Sequence, residues 1–486
     1  MDRIVIAGAT GFIGQAASER LAGRAEPPEV IGLTRGRQTA RAARSQLLTC
    51  DLFSLRDVER AVGGARYVVY LVHSRLPSAR LVQGRFQDLD LICADNVGRA
   101  ARAAGVEQIV YLGGLIPEGA LSKHLASRRE VERALGAYDV AVTTLRAGLV
   151  IGPGGSSFEI LRRLVERLPA MILPAWSGRR CQPIDLATVA ALIDHCVGRR
   201  ETYGQTYDIG GPDVLRYRDM IATTAAQLGR RRPLIDLPIE ARRLSRLWIS
   251  VVTGAPKQLV APLIESLRHE MVCRDRRLQE AAGLPGLPFA EMVKRTLAEE
   301  TRGDEPHAYR RAPRALATGV RSVQRIPLPP GRDAEWAAHE YMRWLPHGAW
   351  WAGLSVHVDE QRRATFSLIG TRRPLLELTF APDRSSRDRQ LFYVTGGLLA
   401  AASARGRLEM RQTPDGHHLL VAIHDYAPRL PWPLYRWSQA IVHRWVMRRF
   451  GAHLARHSVP PSTPPAGNRV RRGQVQAACD RSGWVS

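Results

Sequence analysis

Short apolar segments alternate with amphipathic helical patterns along the first 150 residues of the chain. The strand-like segments read RIVIAG, EVIGLT, SQLLTCD, YVVYLVH, QIVYLGG and VAVTTLRAGLVIG. Strands that are apolar on both faces and separated by helices are typical of βαβ units around a buried parallel sheet. The pattern therefore predicts an α/β fold with a doubly wound parallel sheet of Rossmann type.

The pattern becomes less regular between residues 152 and 300. A basic amphipathic helix, SSFEILRRLVERLP, opens this region, and helical patterns continue to FAEMVKRTLAEE. We expect the region to complete the sheet edge and to form a small substrate lobe, so that residues 1–300 make one nucleotide-binding domain. The polar, proline-bearing segment around 301–315 predicts a linker.

Residues 316–457 show a different pattern, in which strand-like alternation predominates. A helix is predicted near DAEWAAHEYMRWLP, and a long final helix at PLYRWSQAIVHRWVMRRFGAHLARH. Between them lie six alternating segments: LSVHVD, ATFSLIG, LLELTFAP, QLFYVTGG, RLEMRQT and HLLVAIHDY. We expect a separate antiparallel α+β domain here, followed by a disordered tail at 458–486 that is rich in proline.

Composition supports a multidomain soluble protein. A chain of 486 residues exceeds one ordinary core, and 45% apolar with 24% charged residues is typical of globular proteins. The longest apolar stretch falls short of the roughly 20 residues that a spanning helix needs. The six cysteines are far apart, which argues against disulfides and a zinc site. We expect a cytoplasmic protein that carries no signal peptide and no metal.

The net charge of +24 would ordinarily suggest an anionic partner, because a basic surface concentrates anions. Here only three basic residues are lysines and 67 are arginines, spread along the chain. Such a skew indicates codon bias more than a tuned patch. We therefore predict no nucleic-acid partner, and the sequence leaves the oligomeric state open.

The final helix carries apolar residues at three- and four-residue spacing, namely Leu434, Trp437, Ile441 and Trp445. Arginines are interleaved with them: Arg436, Arg444, Arg448 and Arg449. A basic stripe that bears tryptophan could lie on an anionic membrane as a peripheral contact. The favoured interpretation is a helix that packs this apolar stripe on its own sheet and turns its arginines outward. His417, His418, His424 and His443 show no ligand spacing.

The segment RIVIAGATGFIG places Gly8, Gly11 and Gly14 between a strand and a helix. Glycines at this spacing let the backbone turn tightly and approach a pyrophosphate, whose charge is met by amides at the helix N-terminus. The motif predicts dinucleotide binding. The predicted cofactor-binding loop comprises Gly8, Thr10, Gly11, Phe12, Ile13 and Gly14.

The residues after the second strand indicate which dinucleotide binds. No Asp or Glu occurs from Val30 to Cys50, where an acid would hold the ribose diol of NAD. Arg35 and Arg37 could instead hold a 2′-phosphate, so NADP(H) is favoured over NAD(H). Asp51 and Leu52, after the third strand, are predicted to border the cofactor, with Asp51 capping the adenine amine. A turn or helix-cap role for Asp51 is the alternative.

Several motifs resemble those of the extended and atypical short-chain dehydrogenase/reductases, the nucleotide-sugar epimerase-like and NmrA-like NAD(P)-binding proteins. They read GATGFIG, CDL, VYLGG, LRAGLVIGPG and YDIGGPD, and span residues 1–300. The phrases GGLLA, GRLEMR and PRLPWPLYRWSQAIVHRWVM are similar to a C-terminal domain of unknown function, the DUF2867 type. Its pattern resembles START-like helix-grip folds, which often enclose hydrophobic ligands.

The resemblance implies a catalytic Ser, Tyr and Lys, and all three positions differ in this chain. Gly113 takes the Ser position, His124 the Tyr and Arg128 the Lys. His124 and Arg128 could form a substituted catalytic pair, could bind nicotinamide and ribose without the standard chemistry, or could be a solvated helix face.

Other candidates surround this pair. His73 ends the fourth strand beside the expected nicotinamide position and is a predicted site residue. Tyr70 and Tyr111 could supply a hydroxyl, although burial in the sheet is the favoured explanation. The loop LPAWSGRRCQPIDL could contact substrate or pack the lobe. Its candidate residues are Trp176, Arg180, Cys181 and Gln182, of which the cysteine could be an activated thiol.

Two functions fit these observations. The first is an NADP(H)-dependent oxidoreductase without the standard Ser-Tyr-Lys set, which acts on a hydrophobic carbonyl, quinone or lipid-like compound. The second is a non-catalytic NADP(H)-binding redox sensor or assembly factor, whose C-terminal domain binds a ligand or partner. The glycine loop supports both, and the substituted catalytic positions favour the second.

Overall fold

A computed structural model describes residues 2–35, 46–73, 81–237, 267–302, 319–348, 353–371, 373–400 and 405–457. The strands, in chain order, are β1 Arg3–Ala7, β2 Glu29–Thr34, β3 Gln46–Thr49, β4 Tyr67–Tyr70, β5 Leu81–Gln83, β6 Gln108–Gly114, β7 Ala141–Ala147, β8 Val150–Ile151, β9 Met171–Pro174, β10 Arg180–Cys181, β11 Ile184–Asp185, β12 Thr206–Ile209, β13 Leu215–Arg216, β14 Leu234–Leu237, β15 Val320–Pro327, β16 Leu354–Val358, β17 Ala364–Leu368, β18 Pro374–Phe380, β19 Arg389–Gly396, β20 Arg407–Gln412 and β21 His418–Tyr426.

The α-helices, in chain order, are α1 Phe12–Ala22, α2 Leu55–Val62, α3 Phe86–Ala103, α4 Lys123–Leu135, α5 Ser156–Arg167, α6 Leu186–Cys196, α7 Tyr217–Gln227, α8 Arg277–Ala282, α9 Phe289–Arg302, α10 Ala334–Gly348, α11 Trp432–Trp437 and α12 Gln439–Arg456. Short 3₁₀ turns connect several of them.

The N-terminal domain is built on a seven-stranded parallel sheet with the order β12-β7-β6-β4-β1-β2-β3. Successive strands are apolar on both faces because helices cover both: α1 and α6 contribute to one core, and α2, α3 and α4 to the other. The strand order reverses between β1 and β4, which places a crevice for ligands beyond their carboxyl ends. The predicted Rossmann-type sheet is confirmed.

A small lobe lies beside the later strands of this sheet. Three two-stranded pairs occur there, β10 with β13, β11 with β8 and β14 with β9. They share an apolar core with α5, α7 and α9, around Phe158, Met220 and Phe289. The predicted amphipathic helix SSFEILRRLVERLP is α5, which buries Phe158, Leu164 and Val165.

The C-terminal domain is a second, mixed sheet of eight strands with the order β16-β17-β18-β19-β20-β21-β15-β5. Helices α10 and α12 cover one face, where Tyr341 and Phe450 belong to a single apolar core. The other face packs on the N-terminal domain, since Val323, Leu420 and Ala422 belong to the core that contains α2 and α3. The predicted six alternating strands are confirmed as β16 to β21.

The first domain lends one strand to the second sheet. β5 pairs with β15 in parallel, with Leu81 opposite Val320 and Gln83 opposite Ser322. All other ladders of this sheet within the described residues are antiparallel. Neither β5, which has three residues, nor β15, whose eight residues mix apolar and polar positions without clear alternation, was predicted from the sequence.

The predicted single final helix is wrong, since the helix breaks at Ser438. That residue has φ −119° and ψ −88°, and its hydroxyl donates to the Leu434 carbonyl over 2.5 Å, which competes with the helical ladder. The favoured packing of the stripe is also wrong. Leu434, Trp437 and Ile441 are 54%, 73% and 42% exposed, because α12 buries another face instead.

The buried face of α12 consists of Ala440, Val446, Met447, Phe450, Gly451 and Leu454. Most of the predicted linker at 301–315 and the predicted tail at 458–486 lie outside the described residues. Across the described ranges, none of the helices has both the length and the apolar character required to cross a membrane.

Candidate functional site

Three glycines form a tight turn between β1 and α1. Gly8 has φ +94°, a left-handed conformation that favours glycine. A Cβ atom on Gly14 would lie 2.1 Å from the Gly8 carbonyl oxygen, so no larger residue fits there without a shift of backbone. The Gly11 amide donates to that same oxygen over 3.0 Å. The loop thus has the compact form that allows a pyrophosphate to approach the backbone.

The N-terminus of α1 is suited to an anion. Its N-cap, Gly11, has no side chain to accept the first amides, and the first turn contains no acidic residue. The partial positive charge of the helix end is therefore not offset locally. The other predicted loop residues are partly or fully exposed, namely Thr10, Phe12 and Ile13.

The residues predicted to select the cofactor lie at the same edge of the sheet, because β1, β2 and β3 are parallel neighbours. Arg35 directly follows β2 and is exposed, whereas Arg37 lies outside the described residues. Asp51 follows β3, and its Oδ1 accepts the Phe53 amide over 3.2 Å. The turn role is therefore observed, and the adenine contact stays a prediction. Leu52 is 8% exposed.

Two histidines meet at the carboxyl ends of β4 and β6. The ring centroids of His73 and His124 are 6.0 Å apart, and the ring of Phe86 lies 6.3 Å from His124. His73 is exposed, and His124 is partly buried near the start of α4. The structure therefore brings together two predicted site residues that are 51 positions apart in the sequence, beside the crevice between β1 and β4.

Arg128 lies inside the domain, so the solvated-surface interpretation is wrong for this residue. It is 2% exposed, and its Nη2 donates to Asp90 on α3 over 3.0 Å. Burial lowers the pKa of Arg128 to about 9, which still leaves the guanidinium charged at neutral pH. Arg128 therefore forms a buried ion pair that connects α4 to α3. Its ribose contact stays a prediction.

The strand residues near this arginine explain the substituted Ser position. A Cβ atom on Gly113 would lie 3.0 Å from the ring of Tyr111, so the tyrosine occupies space that a serine would need. Tyr111 donates to the Arg128 carbonyl over 3.2 Å. Tyr70 and Tyr111 are 1% and 0% exposed, which confirms the prediction of burial. Burial raises the pKa of both phenols well above their usual value, so neither is suited to proton transfer.

Comparison with known proteins supports this reading of the N-terminal region. Residues 4–117 match the NAD dependent epimerase/dehydratase family. A curated relative, auxiliary protein GraX of Staphylococcus aureus, is 30% identical over 142 residues, which are 29% of this chain and 43% of that protein. The chain thus spans less than half the length of this relative.

Two solved structures share the fold. The NADPH-dependent quinone oxidoreductase QOR2 of Escherichia coli, complexed with NADPH, is 19% identical with a TM-score of 0.50, over 60% of this chain and 98% of that chain. Triphenylmethane reductase of a Citrobacter species is 20% identical with a TM-score of 0.50, over 61% and 99%. Residues 4–117 are thus similar to an NAD dependent epimerase/dehydratase family, and the N-terminal region shares the fold of these two reductases.

In the N-terminal domain, the loop predicted to contact substrate or to pack the lobe packs the lobe. Trp176 meets Tyr217 edge-on at 6.0 Å, and Gln182 donates to the Gly211 carbonyl over 2.7 Å. Arg180 is paired with Glu270 over 2.7 Å. Burial raises the pKa of Cys181 to about 11, so the suggestion of an activated thiol is wrong.

The C-terminal domain contacts the segment that follows β3 in the N-terminal domain, which the sequence did not predict. Arg321 on β15 donates to Asp51 Oδ2 over 2.9 Å and lies 3.8 Å from the centre of the Phe53 ring. Arg407 on β20 donates to the Phe53 carbonyl over 2.7 Å. Two arginines from the second sheet therefore fix the segment that follows β3. No local signal reveals such contacts, because the partners are hundreds of residues apart.

One cluster in the described residues has ligand atoms that could hold a metal ion: Glu340, His453 and His457, with atoms within 4.8 Å of one another. His453 already lies 2.8 Å from Glu340, and Arg343 contacts the second carboxylate oxygen. We interpret the cluster as a hydrogen-bonded contact between α10 and α12, in which His453 meets one oxygen of Glu340 and Arg343 the other.

Proposed function

We propose that the protein is an NADP(H)-dependent oxidoreductase of atypical type, which reduces a hydrophobic carbonyl, quinone or lipid-like compound. The observation that carries the proposal is the glycine turn, in which Gly8 and Gly14 leave space only for backbone next to an uncapped helix N-terminus. A loop retained in this form supports a bound dinucleotide phosphate. The paired imidazoles lie at the edge where its nicotinamide would sit.

The preference for NADP(H) rests on charge. The end of β2 offers an exposed arginine, Arg35, and the sequence has no acid from Val30 to Cys50. A cation can pair with a 2′-phosphate, and no carboxylate is present to hold the free diol of NAD. The fold similarity to an NADPH-complexed oxidoreductase is consistent with this choice.

The chain's own residues would then act on the substrate oxygen. Bound NADPH supplies a hydride to a carbonyl carbon, and the oxygen needs one proton. His124 would donate that proton, because imidazole is a common general acid and its ring lies 6.0 Å from that of His73, after the carboxyl end of β4. Buried Arg128 would orient α4 through Asp90 and favour negative charge on the oxygen.

A second candidate is a non-catalytic NADP(H) sensor. One observation favours it: Arg321 and Arg407 connect the second domain to the segment after β3. Cofactor binding at Asp51 would then change the free energy of domain docking by the same amount as docking changes cofactor affinity. Reciprocal coupling of this kind is what a sensor requires.

We further propose that the C-terminal domain is of the DUF2867 type and a START-like helix-grip fold that accepts a hydrophobic ligand. The support is the antiparallel run β16 to β21 crossed by the long helix α12. The described free cysteines, four of them buried, fit a reducing compartment such as the cytoplasm.

Cofactor titration followed by single-turnover oxidation tests the proposal. Arg35→Glu should lower the affinity for NADPH more than the affinity for NADH. Equal losses of affinity for both would refute the contact with the 2′-phosphate. Gly11→Leu should abolish binding of both cofactors. In a screen of quinones and carbonyls, His124→Phe should slow NADPH oxidation without lowering the affinity for NADPH. The control His357→Phe changes an exposed histidine and should behave as wild type. Binding without turnover of any compound would favour the sensor.

A further inference from the structure

The surface of α11 and the start of α12 exposes large apolar side chains. Leu434, Trp437 and Ile441 are 54%, 73% and 42% exposed, at spacings of three and four residues. Single exposed apolar residues are ordinary, but three on α11 and the first turn of α12, one of them a tryptophan, are typical of an interaction surface. These three side chains, with Leu398 described next, are called the apolar helix face.

A neighbouring loop extends this face. Leu398 is 50% exposed and directly precedes Leu399, whose carbonyl accepts the Arg429 amide over 3.1 Å and the Tyr426 hydroxyl over 2.8 Å. Ala400 also forms a bridge with Pro428. The loop after β19 is therefore held against the chain that enters α11, and its leucine lies on a structured element.

The charged residues of the chain segment that carries the apolar helix face have one sign. From Tyr426 to His457 the sequence contains six arginines and neither Asp nor Glu. Arg429, Arg444 and Arg448 are exposed, and none of the three forms an ion pair with another described residue. Elsewhere exposed arginines such as Arg66 and Arg180 do have acidic partners. The positive charge here is thus not neutralised locally.

We propose that this surface docks the protein on an anionic phospholipid membrane, with the apolar helix face inserted at the headgroup boundary and the arginines on the phosphates. Exposed apolar side chains on a helix with a cationic border have the chemistry of an interfacial helix. A nucleic acid would use the arginines but gain little from Leu434 and Ile441. A second copy of this surface would bring like charges together.

Vesicle co-sedimentation with the full-length chain tests this proposal. The protein should bind vesicles of phosphatidylcholine mixed with phosphatidylglycerol and bind pure phosphatidylcholine much less. Binding should weaken when salt rises from about 0.1 M to about 1 M, because the screening length falls from ~10 Å to ~3 Å. Trp437→Glu and Ile441→Glu should each lower partitioning of the protein onto the vesicles about tenfold or more. Each variant removes an apolar side chain that would be buried in the membrane.

Ile172→Glu is the matched control, because Ile172 is 52% exposed but lies on β9 in the lobe. It should bind vesicles as wild type does. Equal loss in this control, equal binding to neutral vesicles, or no binding to either would overturn the proposal. So would tight RNA binding abolished by the same two variants, or a lipid-free dimer that Trp437→Glu dissociates. Because NADPH titration is independent of lipid, failure here leaves the proposed cofactor site standing.

Discussion

Two arginine-rich regions of the C-terminal domain use the same side chain in opposite ways. On the sheet face toward the N-terminal domain, Arg321 donates to an aspartate and Arg407 to a backbone carbonyl. On α12, neither Arg444 nor Arg448 has an acidic or carbonyl partner among the described residues. The first set is buried and specific, whereas the second is exposed. An arginine excess from biased codon usage can therefore still be sorted into distinct physical roles.

The difference teaches that the acids, and not the arginines, define the domain interface. Arg325 pairs with Asp88 and Glu130 over 2.7 and 2.8 Å, and Asp88 is 2% exposed. Burial raises the pKa of Asp88, whereas Arg325 opposes that effect. A buried carboxylate without its cation would be costly. The N-terminal helices thus carry acids that require the second sheet, while α12 carries no such acid.

The largest expected effect comes from Arg411, which is 2% exposed. It donates to Asn96 over 2.6 Å and also contacts Asp95 and Glu409. Arg411→Met leaves each of these buried carboxylates with a single arginine partner and leaves the Asn96 oxygen without its donor, and should lower the free energy of unfolding by about 1–3 kcal/mol. Urea denaturation measures this loss. The control Arg448→Met should change stability by less than about 0.5 kcal/mol; similar losses in both variants would erase the distinction between the regions.

A pH dependence should arise from His424, which is 0% exposed, with its ring 5.9 Å from that of Phe53. Burial, with the nearby Arg407 and Arg321, lowers its pKa well below the usual 6.5. Below pH 6.5, His424 is protonated in the unfolded chain but stays neutral in the folded chain. The free energy of unfolding should therefore fall as the pH decreases below 6.5, and this group should not affect it at higher pH.

Unfolding curves of wild type and His424→Phe, recorded from neutral to mildly acidic pH, isolate this contribution. The variant should lose less stability over that window, because phenylalanine does not titrate and can still pack on Phe53. Parallel curves for the two proteins would show that the imidazole is protonated in the folded interface. In that case the density of positive charge on this face would be lower than we infer.

A smaller effect is expected at the adenine end, and it depends on the proposed cofactor site. Arg321→Met removes the donor that holds the Asp51 carboxylate. NADPH binding would then have to order this carboxylate, which should lower the affinity for NADPH about two- to tenfold. The fragment 2′,5′-ADP should show the same loss, and nicotinamide mononucleotide none. Arg325→Met is the matched control, because it removes a paired arginine from the same strand, away from Asp51. Equal losses in both would indicate domain undocking.

Local features were predictable from the sequence, and long-range ones were not. The glycine turn is encoded within seven residues, so Gly8 and Gly14 could be recognised directly. Arg325 lies 237 residues from Asp88, and no pattern in either segment specifies the pairing. For the final helix, period 3.6 predicted one continuous apolar stripe, and this periodicity did not reveal the break at Ser438. α12 buries the face that contains Phe450, whereas Trp437, at the end of α11, is exposed.

The smallest expected effect sharpens the comparison from the other side. Arg448→Gln removes one exposed charge without a described partner, so folding stability should be unchanged within about 0.5 kcal/mol. Affinity for anionic vesicles should nevertheless fall about fivefold, because each arginine near such a surface contributes about 1 kcal/mol. Paired urea and vesicle titrations measure both quantities. If Arg448→Gln instead destabilised the fold and left vesicle binding intact, Arg448 would belong with the structural arginines. The absence of acids from Tyr426 to His457 would then reflect packing, not membrane attraction.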